Sequence, residues 1–221
     1  ETRGLILAVI LGGAYSSPVT TVVLARQSKT RLPCASGFAG AIIAATGMMY
    51  LRLWVLLLLF AAPLAHQLTA TFWILGVAAI ALGYVLAHRP VDDVCEFDPT
   101  AERPRQNPLE MTSAFTFAAI FTVVLAATRF VAGRFGSTGI LVMAGIMGAA
   151  DVDPFILGLA QTVGAGLDLE IAVLAVLVAA AVNNLMKGIY AVVFGSRRTG
   201  VISLTVLTSL GALSLVIFWL F

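Results

Sequence analysis

Residues 138–166 read TGILVMAGIMGAADVDPFILGLAQTVGAG, an apolar segment whose middle carries Asp151-Val152-Asp153-Pro154. On each side of this polar break the apolar run is shorter than the roughly 20 residues that a bilayer-spanning helix needs. Charged groups at membrane depth are costly and normally face a cavity or a partner. The stretch therefore predicts a discontinuous helix inside a membrane, with two carboxylates at its break.

The composition of the whole chain supports a membrane protein. Of 221 residues, 60% are hydrophobic and only 11% are charged, whereas soluble domains carry about 25% charged residues. The net charge of +2 does not indicate a nucleic-acid partner. No nucleophile with a base, phosphate-binding loop or metalloprotease motif is present, so we do not expect an enzyme. Cys34 and Cys95 are far apart, show no metal-ligand spacing and predict no disulfide framework.

Apolar segments predict an all-α, polytopic transmembrane domain that spans residues 1–221. Backbone groups in lipid must be paired within the segment, so each segment is expected to be helical. A polar linker, 89–110, separates two sets of segments. The predicted segments are 4–25 (interrupted at 15–18), 37–62, 70–88, 111–132, 138–166 (interrupted at 151–154), 169–195 and 199–221.

An internal repeat appears when the chain is shifted by about 135 positions against itself. In this register Arg52 falls on Lys187, the only two basic residues deep within long apolar helices. The polar breaks also coincide, Ser16-Ser17-Pro18 on Asp151-Val152-Asp153. We interpret 1–88 as repeat one and 111–221 as repeat two. The counterpart of 111–132 would precede residue 1, so we expect repeat one to take its first helix from upstream or from another chain.

Basic residues favour re-entrant hairpins at both breaks, because Lys and Arg concentrate in cytoplasmic loops. If both interrupted segments span the bilayer, the two sides carry six and five basic residues, which is no bias. If both turn back, one side carries nine and the other only Arg129 and Arg134. Three spans per repeat then invert the second copy, as in many secondary transporters. The linker 89–110 is expected to be cytoplasmic, in a bacterial inner membrane.

Asp151 and Asp153 are the first candidate ligands, since carboxylates on unwound backbone suit a hard cation. The alternative is that one of them caps the second half-helix. At the equivalent break in repeat one, the candidates are hydroxyl groups that either coordinate an ion or cap the helix after Pro18. These are Ser16, Ser17, Thr20 and Thr21.

Arg52 and Lys187 are interpreted as charge partners of the carboxylates, either static or displaced when a cation binds. Asn183 and Asn184 precede Lys187 by about one turn, and each is costly in lipid unless satisfied. They are predicted to face the same cavity as Lys187. Gln161, in the second half-helix, is a further candidate for lining it.

These residues resemble a bacterial membrane family, the domain of unknown function 4010. The resemblance rests on Leu11 to Arg26 (LGGAYSSPVTTVVLAR), Asn107 to Glu110 (NPLE), Gly148 to Asp153 (GAADVD) and the Asn184-x-x-Lys187 pair. It covers nearly the whole chain and departs at Pro18 and Gln161, where the family usually has Thr and often has Arg. The family often follows an MgtC/SapB-type membrane module, which implies a link to magnesium or to ion homeostasis and an upstream partner of that type.

The sequence thus predicts a transporter or channel for a small cation bound near the midplane between two hairpins. Oxygen donors favour a divalent metal such as Mg²⁺, and no other cofactor is expected. One alternative is a carrier of a small anionic or zwitterionic solute held by Arg52 and Lys187. Another is a non-transporting regulatory partner with static ion pairs. Besides the bilayer and the solute, the expected partner is a second copy of the chain, since closed two-fold pairing is common.

Overall fold

The structure is a computed structural model that describes residues 17–30, 34–88, 111–163 and 167–220. In these ranges all regular structure is helical. The helices are α1 (Ser17–Thr30), α2 (Ala35–Phe60), α3 (Ala62–Ala87), α4 (Met111–Ala150), α5 (Val152–Ala160), α6 (Leu169–Phe194) and α7 (Arg197–Leu220). Five candidate spans, within α2, α3, α4, α6 and α7, are long and apolar enough to cross a membrane. The predicted all-α polytopic membrane fold is confirmed.

Two helix boundaries differ from the prediction. Helix α3 begins at Ala62, directly after Ala61, so the predicted loop before residue 70 is helical. Pro63 lies in its first turn, where the missing N–H would have no helical acceptor anyway. Helix α1 continues past residue 25 to Thr30.

The described residues divide into two compact units that interleave along the sequence. The first unit contains the described residues up to 52, 71–88 and 184–214. The second contains 53–70, the described part of 111–183, and 215–220. Residues 1–16, which hold most of the predicted first hairpin, lie outside the described ranges, so the inverted repeat stays a prediction.

Within the first unit, α2 and α3 run antiparallel at very close range. A Cβ on Gly40 would lie 2.5 Å from the Gly83 carbonyl oxygen, and one on Gly47 would lie 2.6 Å from that of Gly76. Glycines at these positions let the two backbones approach, as at many membrane helix interfaces. The pairing places the start of α2 and the end of α3 at the same end of this unit.

Hydrogen bonds of buried hydroxyl groups join α1, α2 and α7 in the same unit. Ser28 Oγ accepts a hydrogen bond from the Ser196 backbone N–H at 2.8 Å. Thr199 Oγ1 donates to the Ala35 carbonyl oxygen at 3.0 Å. Ser196 and Thr199 lie at the start of α7, where helix N–H groups lack helical acceptors. These contacts fix the turn between α6 and α7, and with it the position of α6.

Within the second unit, α4 is divided at Gly136, whose φ of 58° and ψ of −145° interrupt the helix. This coincides with the predicted separation between segments 111–132 and 138–166. Thr128 lies on α4 before Gly136 and Met143 lies after it, and the Thr128 Oγ1 is 3.9 Å from the Met143 Sδ. A Cβ on Gly158 of α5 would lie 3.4 Å from the same Thr128 oxygen. Residues on both sides of Asp151 therefore pack at the level of Thr128.

This packing shows that the end of α4 and α5 form a helical hairpin, while its re-entry into the bilayer stays a prediction. Met143 and Gly158 are almost equally distant in sequence from Asp151, so the chain reverses at that residue. Helix α5 has only 9 residues, about 14 Å at 1.5 Å per residue, which is less than half of the hydrocarbon thickness. The candidate span Ala118–Ala150 contains the Gly136 break and is not one straight helix.

The helix break at Gly136 predicts how substitutions of Gly136 and of nearby Gly133 change the free energy of unfolding. Its φ and ψ lie in a region that side-chain-bearing residues rarely adopt, so Gly136→Ala is expected to lower the free energy of unfolding by about 1–3 kcal/mol. Gly133→Ala, one turn earlier with nothing within 4 Å of its Cβ position, is expected to raise it by up to about 1 kcal/mol. Thermal unfolding in nanodiscs measures both. Equal shifts of the unfolding temperature in the two variants would show that the helix is not broken at Gly136.

Candidate functional site

Asp151 forms the break between α4 and α5 and caps α5. Its backbone is extended, with φ −143° and ψ 116°. Its Oδ1 accepts a hydrogen bond from the Asp153 backbone N–H at 3.2 Å, the usual role of an aspartate at a helix N-terminus. The Asp151 side chain is exposed, while Asp153, in the first turn of α5, is half-buried. Of the two carboxylates, the capping alternative thus applies to Asp151.

Asn183 of α6 lies against the last turn of α4 in the second unit. Its Nδ2 donates a hydrogen bond to the Gly148 carbonyl oxygen at 3.1 Å, one of the last carbonyls of α4, which have no helical donor. Gly148 permits this approach because a Cβ there would meet the Ala179 carbonyl oxygen of α6. A glycine in α4 and an amide in α6 together place Asn183 next to the Asp151 break.

The Asn183 side chain leaves an oxygen available at this break. Asn183 is 3% exposed, and in the described part of the chain its Oδ1 accepts no hydrogen bond. A buried polar atom without a partner costs about 1–3 kcal/mol. The C-terminus of a helix also carries partial negative charge. The α4–α5 break therefore carries carboxylates and carbonyl oxygens, and a buried amide oxygen belongs to the residue packed on the last turn of α4; hard cations take ligands of these types.

No group of three or more His, Cys, Asp or Glu side chains occurs within the described ranges. A cation at the break would therefore be held by a mixed set of oxygens, with two carboxylates at most from Asp151 and Asp153.

Lys187 lies in a cluster of residues of the first unit, and its predicted role as a charge partner of the carboxylates stays a prediction. It lies on α6 and is fully buried, with 0% exposure. Its Nζ lies 2.9 Å from Met49 Sδ of α2. One turn earlier, Asn184 is also 0% exposed, and its Nδ2 donates to Tyr50 Oη at 2.7 Å. An ammonium group, an amide and a phenol thus lie side by side between α6 and α2.

In this cluster the Tyr50 ring is held by packing, and one polar atom lacks a hydrogen bond. The Tyr50 ring packs against Phe72, with centroids 5.4 Å apart, and Tyr50 is fully buried. The Asn184 Oδ1 is buried and accepts no hydrogen bond from the described residues.

Asn183 and Asn184 make hydrogen bonds to different residues, and their predicted shared cavity stays a prediction. Adjacent helical residues point about 100° apart, and their hydrogen bonds follow this geometry. Asn183 bonds to Gly148 in the second unit and Asn184 bonds to Tyr50 in the first.

The remaining predicted site residues are placed as follows. Thr21 is fully buried and Thr20 half-buried on α1, which begins at Ser17. Ser16 and the Ser17 side chain lie outside what the structure describes. Arg52 is half-buried on α2, and Gln161 is exposed at the C-terminus of α5.

Sequence reasoning missed Met49, Tyr50 and Gly148. A signal existed for Met49, because the shift that superposes Arg52 on Lys187 also places Met49 on Asn184. Tyr50 is a polar-tipped residue two positions before Arg52 in an apolar helix. Gly148 gave no signal beyond its small size, since only the approach of α6 gives it a role.

Comparison with known proteins identifies the family. The model of the family described as Domain of unknown function (DUF4010) matches residues 1–195. The chain belongs to this family. An uncharacterized protein of Aquifex aeolicus (strain VF5) is 26% identical over 202 residues, which cover 89% of this chain and 85% of that protein. No solved structure matches the chain. The predicted resemblance to this family is thereby confirmed.

Proposed function

We propose that this member of the DUF4010 family is a membrane transporter or channel for a small hard cation, with Mg²⁺ as the first candidate. The observation that carries the proposal is the buried, unsatisfied Asn183 Oδ1 at the end of α4, beside the acidic break. A polar break at membrane depth is costly unless it has a function.

The donor types at the break fit a hard cation better than a soft one. Carboxylates from Asp151 and Asp153, the Asn183 amide oxygen and the last carbonyls of α4 are all oxygen ligands, which Mg²⁺ and Ca²⁺ prefer. Asp151 is exposed while Asn183 is buried. Binding is thus expected to start at Asp151.

Cation flux into proteoliposomes tests the proposal. Full-length protein is reconstituted and uptake of Mg²⁺, other divalent metals and Na⁺ is measured against empty liposomes. The Asp151→Asn/Asp153→Asn variant is expected to lower the affinity for the transported cation by about 100-fold or more, since each of the two lost charge-assisted contacts contributes about 1.5–3 kcal/mol. No flux of any cation above empty liposomes would overturn the proposal.

Two substitutions of Asp151 distinguish the effect of its charge on cation binding from the effect of its helix cap on stability. Asn caps a helix about as well as Asp, whereas Ala loses about 1 kcal/mol. We expect Asp151→Asn to keep wild-type thermal stability and lose cation affinity, and Asp151→Ala to lose both. A loss of stability in Asp151→Asn equal to that in Asp151→Ala would show that the Asp151 charge stabilises the fold.

The membrane orientation is a further part of the proposal. The basic-residue count supports a cytoplasmic linker at 89–110, and Cys34 lies at the end of the first unit where α3 leads into that linker. Cys34 is disulfide-bonded in the structure, which the sequence did not predict, and disulfides persist mainly outside the cytoplasm.

Thiol labelling in intact cells tests the orientation. We expect Cys34 to be reduced in cells, in contrast to the structure, because the cytoplasm keeps thiols reduced. Its alkylation by a membrane-permeant maleimide is measured after denaturation, since Cys34 is 6% exposed in the folded protein. A disulfide that survives in cells, seen as a mobility shift on reduction, would place the linker on the opposite side.

A further inference from the structure

We propose that the first unit binds the phosphate group of an anionic phospholipid at the turn between α6 and α7. The binding surface is formed by four exposed basic side chains, which make up the basic cluster: Arg26, Lys29, Arg197 and Arg198. This binding goes beyond the proposed cation function, because none of these residues belongs to the α4–α5 break. Phosphatidylglycerol, whose headgroup carries a phosphate and no amine, is the simplest probe of this ligand class.

Contacts between α1 and the end of α6 bring the four side chains together. Lys29 Nζ donates a hydrogen bond to the Val193 carbonyl oxygen at 3.4 Å. The Arg26 guanidinium carbon lies 5.4 Å from the centre of the Phe194 ring. The other two basic residues of the cluster are the first two residues of α7, which begins directly after this turn. The last turns of α1 and the α6–α7 turn therefore present their positive charges on one small surface.

The basic cluster keeps its positive charge within the described part of the first unit. Residues 17–30, 34–52, 71–88 and 184–214 contain no Asp or Glu. The end of α6 and the start of α7 carry opposite partial charges of about half a unit each, which nearly cancel. An anion that binds from outside the unit therefore meets the nearly full charge of the four side chains.

The donors of the basic cluster suit a phosphate group. Lys29 has three N–H donors and uses one of them for Val193. Arginine has five, in a fork that binds two phosphate oxygens through parallel hydrogen bonds. The N–H groups in the first turn of α7 lack helical acceptors, and helix N-termini of this kind bind phosphate. Side chains and backbone thus offer donors to the same group of oxygens.

The position of the turn in a membrane favours a lipid over a free anion. The candidate spans Leu169–Phe194 and Arg197–Trp219 lie directly on either side of it, so a bilayer that both spans cross has its headgroups at this level. Tyr190 lies one turn before Phe194, with ring centroids 6.5 Å apart, as in the aromatic belts of membrane interfaces. Lipid phosphates are concentrated at this level, whereas the attraction of exposed side chains for a free anion is screened by salt.

Native mass spectrometry of the full chain resolves lipids bound one at a time. The protein in neutral detergent is titrated with phosphatidylglycerol, with phosphatidylcholine of the same chain length, and with glycerol phosphate. Phosphatidylcholine carries its phosphate beside a fixed cation, and glycerol phosphate is a headgroup without chains. We expect phosphatidylglycerol to bind about 10-fold or more tightly than phosphatidylcholine, and glycerol phosphate not to compete at those concentrations. No divalent metal is added, so the result does not depend on the cation proposal.

Two double variants that remove equal charge locate the lipid. Arg197→Gln/Arg198→Gln is expected to raise the dissociation constant of phosphatidylglycerol about 25-fold, which is about 5-fold for each charge removed. Arg129→Gln/Arg134→Gln, at two exposed arginines of α4 in the second unit, is the matched control and should leave the constant unchanged. All four arginines are exposed, so both variants are expected to fold.

Four results would overturn the proposal. Three are equal affinity of the wild type for the two lipids, an equal effect of the two double variants, and competition by glycerol phosphate at the concentrations where the lipid binds. The fourth is a lower unfolding temperature of Arg197→Gln/Arg198→Gln in detergent without lipid. That result would show that the two arginines pair with carboxylates of the chain itself, such as those of the linker 89–110.

Discussion

Replacing Asn183 with leucine is expected to reduce cation transport by about 100-fold, the largest functional effect of any single substitution in this chain. The change removes the buried Oδ1 and also the donor to the Gly148 carbonyl oxygen. Loss of a ligand at a dehydrated cation costs about 1.5–3 kcal/mol. The Gly148 carbonyl oxygen also loses its donor, which makes the α4–α5 break less well ordered. The readout is initial flux in proteoliposomes at equal protein density.

A second substitution separates the two roles of Asn183. Asn183→Asp also lacks the donor to Gly148 but keeps oxygen ligands, so flux is expected to stay within about 10-fold of wild type. Leu185→Ala, at a residue of the same helix that is 41% exposed, is the neutral control. Equal flux in Asn183→Leu and the wild type would remove Asn183 from the cation path.

The second large effect concerns stability. Gly148→Leu is expected to lower the free energy of unfolding by about 3 kcal/mol or more, because overpacking a close contact displaces backbone. Even a Cβ at Gly148 would meet three Ala179 backbone atoms, and backbone of α6 cannot rotate away as a side chain does. The same displacement would move Asn183 from the α4–α5 break, so flux should fall with stability.

Gly145→Leu is the matched control for this prediction. Gly145 lies on α4 three residues earlier, and nothing lies within 4 Å of its Cβ position. Its substitution is expected to change the free energy of unfolding by less than about 1 kcal/mol, because the new side chain has open space around it. Similar unfolding temperatures for the two variants in nanodiscs would show that α4 and α6 do not pack closely at Gly148.

The candidate sites were predictable in part, for reasons that differ from residue to residue. The break at Asp151 was predicted because Asp and Pro inside an apolar run cannot continue a helix at low cost. Lys187, Asn183 and Asn184 were predicted because polar groups in lipid are costly wherever they point. Their partners were not, since Met49 and Gly148 are ordinary membrane residues that gain a role only from the helix packed against them.

By itself, the sequence determined that the chain is helical, that it belongs in a membrane and that a helix breaks at Asp151. Those properties follow from one-dimensional patterns of hydropathy, charge and proline, whose physical cause is the cost of unpaired polar groups in lipid. Only the tertiary structure decided that Asn183 bonds to Gly148 and Asn184 to Tyr50. It also decided that Gly148 meets Ala179 and that Lys187 meets Met49, since such contacts depend on how helices distant in sequence approach each other.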